Sequence, residues 1–203
     1  MAEEKIPLAS HPGFFLRLMR EEDVDAVKRL SDSSVGKDLY LREELLARIG
    51  GENYFYLLFS PEGEFAGYLY FYLTDCSEAE RGANLPKDAL RRLRPGKAPI
   101  GNIQSIALAP GFRSMGLSTE MIRFASESLS RLGACLAYVV CWKAGEDVPL
   151  GMTMQAADFR FLAETENVWY NNLNLICPVC KGRCRCRAAV YYCIFNKENG
   201  HET

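Results

Sequence analysis

Histidine is scarce in this chain of 203 residues: it occurs only at His11 and His201, one near each end. Chain ends are the least ordered parts of most domains, so histidine-based catalytic triads and histidine metal sites are not expected. Long apolar runs are missing as well, and none approaches the ~20 residues that span a bilayer. The opening Met1-Ala2-Glu3-Glu4-Lys5-Ile6 carries acids where a secretory signal needs a basic flank and an apolar stretch. A soluble, cytoplasmic protein is the expectation. Charge of one sign is also lacking, the formal net charge being −2. There is no basic field to recruit nucleic acid or an anionic membrane, and neither is expected as a partner. Internal repeats and low-complexity tracts are absent.

What remains is a chain with 48% hydrophobic residues, long enough for a real core and too short for two full domains. One domain over residues 1–203 is expected. Hydrophobic period predicts a strand over 14–19 and a helix through 30, opened by the acids Glu21, Glu22 and Asp23. A short helix over 39–49 ends at Gly50-Gly51. Aromatic-rich runs at 53–59 and 65–74, joined by Ser60-Pro61-Glu62-Gly63-Glu64, read as an antiparallel hairpin. Residues 76–99 leave the strand pattern and are treated as an insertion, with a helix predicted over 86–93 because it begins at Pro86. A strand at 100–108, a long helix over 116–132 and an apolar strand at 134–142 make a βαβ unit. A helix near 152–158 follows, then extended stretches at 159–164 and 168–176, and a last strand at 188–195. This order implies a mixed α/β sheet.

The most specific segment is Ile103-Gln104-Ser105-Ile106-Ala107-Leu108-Ala109-Pro110-Gly111-Phe112-Arg113-Ser114-Met115-Gly116-Leu117-Ser118. A strand turns here directly into a helix, where unpaired N–H groups and the positive dipole end converge on an anion and Gly116 admits close approach of the main chain. An ordinary βα connection has the same outline. The stretch resembles the acetyl-CoA motif of the GNAT acetyltransferases, Q/R-x-x-G-x-G/A, in Arg113 and Gly116, with Ser118 in place of the last Gly or Ala. The likeness in element order covers most of residues 14–195.

The resemblance implies a single-domain GNAT-like fold: a mixed, mostly antiparallel sheet, with central parallel strands that splay apart and helices on its flanks. It further implies that backbone groups of Ile106, Ala107 and Leu108 pair with the pantetheine arm of acetyl-CoA while Arg113, Ser114, Met115, Gly116, Leu117 and Ser118 surround the pyrophosphate. The activity implied is N-acyltransfer, by direct attack of a primary amine, carried by a small molecule or peptide, on the acyl carbonyl of acetyl-CoA. The family's frequent base is a Glu on the strand before the loop; the matching position here is Gln104, which takes no proton at neutral pH and is left to orient a water or the amine. The family's tyrosine acid is absent from 152–158. Tyr138, Glu164 and Tyr170 are the alternatives, each equally well read as an ordinary strand residue. Two other functions stay open, a non-catalytic acyl-CoA-binding domain and a zinc-bearing interaction module, and a homodimer is compatible with the sequence.

Half of the eight cysteines sit within ten residues, at Cys177, Cys180, Cys184 and Cys186. That C-x2-C-x3-C-x-C spacing supplies the sulfurs of a closed structural zinc site, in a Cys-rich hairpin loop over 177–186. Lys181, Arg183, Arg185 and Arg187 offset the charge of four thiolates. Two disulfides, a redox-active dithiol or metal-free thiols are the alternatives. Cys76, Cys135, Cys141 and Cys193 read as small hydrophobes. Lys87, Arg91, Arg92, Arg94 and Lys97 form a basic stripe, read as a solvated face or as a contact for the CoA 3′-phosphate or an acidic acceptor.

Overall fold

The computed structural model describes residues 4–93 and 97–195. Its strands are β1 (Ile6–Pro7), β2 (Phe15–Leu18), β3 (Asn53–Phe59), β4 (Phe65–Thr74), β5 (Ile100–Leu108), β6 (Leu136–Trp142), β7 (Arg160–Glu166) and β8 (Arg187–Ile194). Its α-helices among the described residues are α1 (Val24–Ser34), α2 (Arg42–Leu46), α3 (Cys76–Gly82), α4 (Leu117–Arg131) and α5 (Gly151–Ala156). The strands form one sheet in the order β1-β2-β3-β4-β5-β6-β8-β7. Every neighbouring pair is antiparallel except β5 with β6, which are parallel.

Alternation along the central strands gives the sheet two buried faces. Leu69 and Phe71 of β4, Ile103 and Leu108 of β5, and Ala137, Val139 and Cys141 of β6 share a core with Leu117, Met121, Ile122, Ala125 and Leu129 of α4. Those α4 positions recur every three or four residues, one stripe of a helix, and each large side chain so buried contributes about 1.5–3 kcal/mol. On the opposite face Tyr68 and Tyr70 of β4 pack with Val24, Val27 and Leu30 of α1 and with Leu45 of α2. Leu136 and Tyr138 of β6 pack there too, with Ala79, Ala83 and Leu90 of the 76–99 insertion. No helix among the described residues is long and apolar enough to cross a membrane.

Two local expectations fail. The helix of the insertion is α3, not 86–93: Asp75 caps it, accepting from the N–H groups of Ser77 and Glu78 at 2.7 and 3.0 Å. Residues 86–93 fold as turns because the buried carboxylate of Glu80 accepts from the Asp88 and Leu90 N–H groups, each at 2.9 Å, and Asp88 sits at φ 64°. A side chain from elsewhere thus takes donors that a helix there would have used. Residues 168–176, expected to be extended, are turns as well, touching a strand-like partner only where Ile176 bridges Lys37. Arg94 of the basic stripe lies outside the described residues.

Candidate functional site

The centre of the sheet is broken at one residue. In the β4–β5 ladder Tyr70 faces Ser105 and Phe71 faces Ile103, so Gln104 is an extra residue, a β-bulge. The neighbours Gln104 and Ser105 therefore point to the same face: Gln104 meets Tyr72 and Asn102, and the Ser105 hydroxyl lies 3.0 Å from that of Tyr68. Parallel pairing of β5 with β6 covers only Gly101–Ile103 against Ala137–Val139 and stops at the bulge. Beyond it the β5 segment holding Ile106, Ala107 and Leu108 is laddered to β4 alone, while β6 continues along β8 to Trp142. A slot opens between the strands.

The end of β5 unpaired with β6 leads on to the start of α4. After a short 3-10 turn at Pro110–Phe112, Ser114 takes φ 61° and Gly116 φ 80°, and the first helical hydrogen bond is given by the Thr119 N–H to Gly116 O at 3.1 Å. The amides of Gly116, Leu117 and Ser118 precede that bond at the positive end of a helix about four turns long. The side chains around them are committed elsewhere. The guanidinium of Arg113 donates to Leu108 O and Ser34 Oγ, each at 3.0 Å, bracing the loop against the end of α1. Leu117 is buried in the core, and the Ser118 hydroxyl lies 3.2 Å from that of Thr153 on α5. Ser114 and Met115 are exposed. The loop offers its backbone.

His11, discounted on sequence grounds as a chain-end residue, belongs to this loop. Its Nδ1 lies 2.7 Å from Glu120 Oε2 and its Nε2 2.7 Å from Met115 O. A carboxylate and a carbonyl only accept, so both ring nitrogens are satisfied together only in the imidazolium form. The bond to Glu120 and that to Met115 raise the His11 pKa above its ordinary value. Burial acts to raise Glu120, but donation from Ser10 and His11 outweighs it and the carboxyl pKa falls. The ring stands beside the loop, 3.7 Å from where a Cβ on Gly116 would be. The signal visible in the sequence is the turn His11-Pro12-Gly13 before β2, which ties the segment down; what it ties to is more than a hundred residues away.

On the face carrying Gln104 and Ser105 lies a cavity of about 250 Å³. Tyr72, Asn102, Gln104 and Tyr138 form its floor, Glu78 of α3 stands on one side and Trp169 on another. The Asn102 amide donates to Tyr72 Oη at 2.7 Å and to Gln104 Oε1 at 2.8 Å, fixing the orientation of Gln104. Burial pushes the Tyr72 and Tyr138 pKa values up, so both phenols stay protonated. For Tyr72, burial prevails over the Asn102 donor, which acts to lower it. The carboxylate of the cavity is that of Glu78, largely exposed, accepting from the Thr74 hydroxyl at 3.2 Å. Of the alternatives weighed from sequence, only Tyr138 reaches this place. Glu164 is bound to Lys143 and Arg187, and Tyr170 lies under the guanidinium groups of Arg183 and Arg185. Sequence reasoning does not single out Tyr72, Asn102, Glu78 or Trp169, although the Asp75 cap signal places Glu78 on a helix.

The cysteines of 177–186 come together. The sulfurs of Cys177, Cys180, Cys184 and Cys186 all lie within 4.8 Å of one another, and Cys186 Sγ is 3.7 Å from that of Cys177 and 3.6 Å from that of Cys180. Tetrahedral zinc with Zn–S bonds of about 2.3 Å sets sulfurs about 3.8 Å apart, so the donor set fits that ion. None of the four is in a disulfide. Burial lifts the Cys184 thiol pKa to about 12, so a bound cation is what would bring it to the thiolate form near neutrality.

No protein-family model matches this chain, and no curated protein sequence does. Solved structures match over nearly the whole chain. Arabidopsis thaliana NAA60 in complex with acetyl-CoA gives a TM-score of 0.68 at 12% identity, covering 90% of this chain and 99% of the other. The ribosomal-protein-S18-alanine N-acetyltransferase of Escherichia coli gives 0.61 at 9% identity, covering 94% and 99%. Chaetomium thermophilum Naa20 in complex with a bisubstrate analogue gives 0.63 at 12% identity, covering 92% and 90%. With its bulged β5, its single parallel pair and its flanking helices, this chain has the fold of the GNAT N-acetyltransferases.

Proposed function

We propose that the chain is an acyl-CoA-dependent N-acyltransferase that moves an acetyl group from acetyl-CoA to a primary amine. One observation carries the reading: at Gln104 the bulge in β5 coincides with the end of β5–β6 pairing, and the part of β5 left unpaired with β6 runs on to the amides at the start of α4. In this reading the backbone of Ile106, Ala107 and Leu108 pairs with the pantetheine arm, and the main chain from Arg113 to Ser118 holds the pyrophosphate. A peptide or small-molecule amine enters from the cavity on the other side of the bulge. The similar structures include one of an enzyme named for a protein alanine and one holding a bisubstrate analogue, which favours a peptide amine here.

The amine nitrogen, once neutral, attacks the acetyl carbonyl; the C–N bond forms, the C–S bond breaks, and the CoA sulfur leaves as thiolate and takes up a proton. Holding the two reactants on either side of one strand supplies much of the rate. An amide near Leu108 polarises the thioester oxygen as charge develops on it. Gln104, fixed by Asn102, orients the amine or a water, and Glu78 accepts the proton that the ammonium form must lose. Tyr138 and Tyr72, both protonated, are the proton donors available to the leaving sulfur. The four cysteines hold zinc in a structural role, since they fill all four of its positions and leave none for a substrate.

The test is calorimetric titration with acetyl-CoA and with CoA, followed by screening peptide and small amines for turnover. Micromolar binding is expected. Gly116→Arg, which adds a long side chain at a left-handed position of the loop, should abolish it while the circular dichroism spectrum stays native; unchanged affinity overturns the cofactor assignment.

A further inference from the structure

The cysteine cluster stands outside the transfer chemistry, yet it adjoins the wall of the acceptor cavity. Trp169 lines that cavity and also a smaller cleft formed with Val35, Leu39, Trp142, Leu175, Cys177 and Cys184. Residues 167–186, which connect β7 to β8, have little regular structure of their own. Long irregular connections keep their shape only through side-chain contacts or a cross-link. Here the contacts gather around the sulfurs. The Ile176 N–H donates to Lys37 O at 2.8 Å, fastening the segment to the link between α1 and α2 just before Cys177. Gly36 permits that approach, since a Cβ there would meet Leu175 Cδ1 at 2.7 Å. Trp142, at the end of β6, shares the smaller cleft with Cys177 and Cys184. The cluster thus joins the end of β6, the α1–α2 link and the strap that carries Trp169.

We propose that the metal held by Cys177, Cys180, Cys184 and Cys186 is a clasp for the acceptor side: it fixes Trp169 as a wall of the cavity and leaves the acetyl-CoA side independent of it. The metal is a structural ion, and its removal loosens residues 35–41 and 167–186 without disturbing β5, the 109–116 loop or α4. The proposal rests on the acyltransferase reading only for what the cavity holds; the mechanical coupling is measured without any acceptor.

The experiment uses the unaltered full chain for zinc content, hydrogen exchange and acetyl-CoA affinity, and Trp142→Phe for the fluorescence alone, once its zinc content has been shown to equal that of the unaltered chain; the sequence contains two tryptophans, so this leaves Trp169 as the one indole. Zinc content is read by elemental analysis before and after chelation, acrylamide quenching reports the exposure of Trp169, and hydrogen exchange follows residues 35–41 and 167–176. Acetyl-CoA affinity is measured calorimetrically on the same samples. Chelation is expected to raise the quenching constant about threefold and to remove exchange protection from both segments, with acetyl-CoA affinity within about twofold, and zinc alone should restore the starting values. Cys184→Ser without chelator should reproduce the stripped state. Absence of bound zinc from the purified protein overturns the proposal, as does zinc loss with Trp169 quenching and exchange unchanged. Loss of acetyl-CoA binding together with global exchange overturns the local clasp in favour of a fold-wide metal requirement. A zinc-loaded protein that never binds acetyl-CoA, but whose Trp169 still responds to chelation, refutes the acyltransferase reading and leaves the clasp standing.

Discussion

Replacing His11 by alanine tests whether the loop at the start of α4 is held by a charged ring. The substitution removes two contacts at 2.7 Å, one to a carboxylate and one to a carbonyl, and leaves Glu120 with the Ser10 N–H among its described donors. Hydrogen bonds to charged groups contribute about 1.5–3 kcal/mol, and the pair is only partly exposed, with side-chain exposures of 19% and 11%. Taking that range for the pair, the melting temperature should fall by about 3–12 °C for a chain of this size. The deficit has a pH signature. The folded pKa of His11 is raised, so its stabilisation is complete below the unfolded value of 6.5 and disappears as pH rises through the folded value. That of Glu120 is lowered, so its contribution is complete above 4.5 and disappears as pH falls through its folded value. The difference between wild type and His11→Ala is therefore largest between about pH 4.5 and 6.5 and shrinks towards about pH 9. Thermal denaturation at about pH 5.5 and about pH 9 measures it. Losing a cation beside the loop should also weaken acetyl-CoA about fivefold at low ionic strength, an effect that salt suppresses. An equal deficit at both pH values refutes the imidazolium clasp.

Gly67→Ala should destabilise the fold by about 1–3 kcal/mol, seen as a lower denaturation midpoint, because its Cβ would press on the Ala107 carbonyl oxygen and lie 3.2 Å from Leu108 Cα; acetyl-CoA affinity should fall with it, since that backbone borders the slot. Glu78→Gln should leave acetyl-CoA binding unchanged and lower turnover of a primary amine by about 10²-fold at neutral pH, with partial recovery at alkaline pH where more amine is neutral in solution; a flat response removes Glu78 from the proton route.

The parts of the fold legible in the sequence are those fixed by contacts near in the chain or by long periodic runs. The β3–β4 aromatics with the turn at Ser60, the stripe of α4 and the apolar β6 each announce themselves. What is illegible depends on distant partners. Residues 86–93 are turned by the carboxylate of Glu80, and residues 168–176 are shaped by Lys37, Gly36 and the cysteines. Spacing singles out the turn from β5 into α4 but not the work of its side chains: nothing near Arg113 in the chain signals that it braces Leu108 and Ser34. For His11, position in the chain is a poor guide to order, because Glu120 and Met115 order it from more than a hundred residues away.

The extra residue at Gln104 acts on the sheet as a change of parity. A strand without it alternates strictly, so every side chain from one end commits all the others to a face. Counting back from Leu108 and Ile106, which pack towards α4, and up from Ile103, which packs the same way, the tally comes out odd by one, and Gln104 absorbs the difference. Deleting it would therefore do more than remove an amide from the cavity. Either the residues before it or those after it would have to exchange inside for outside, and the strand could no longer serve the core at both ends while presenting polar groups between them.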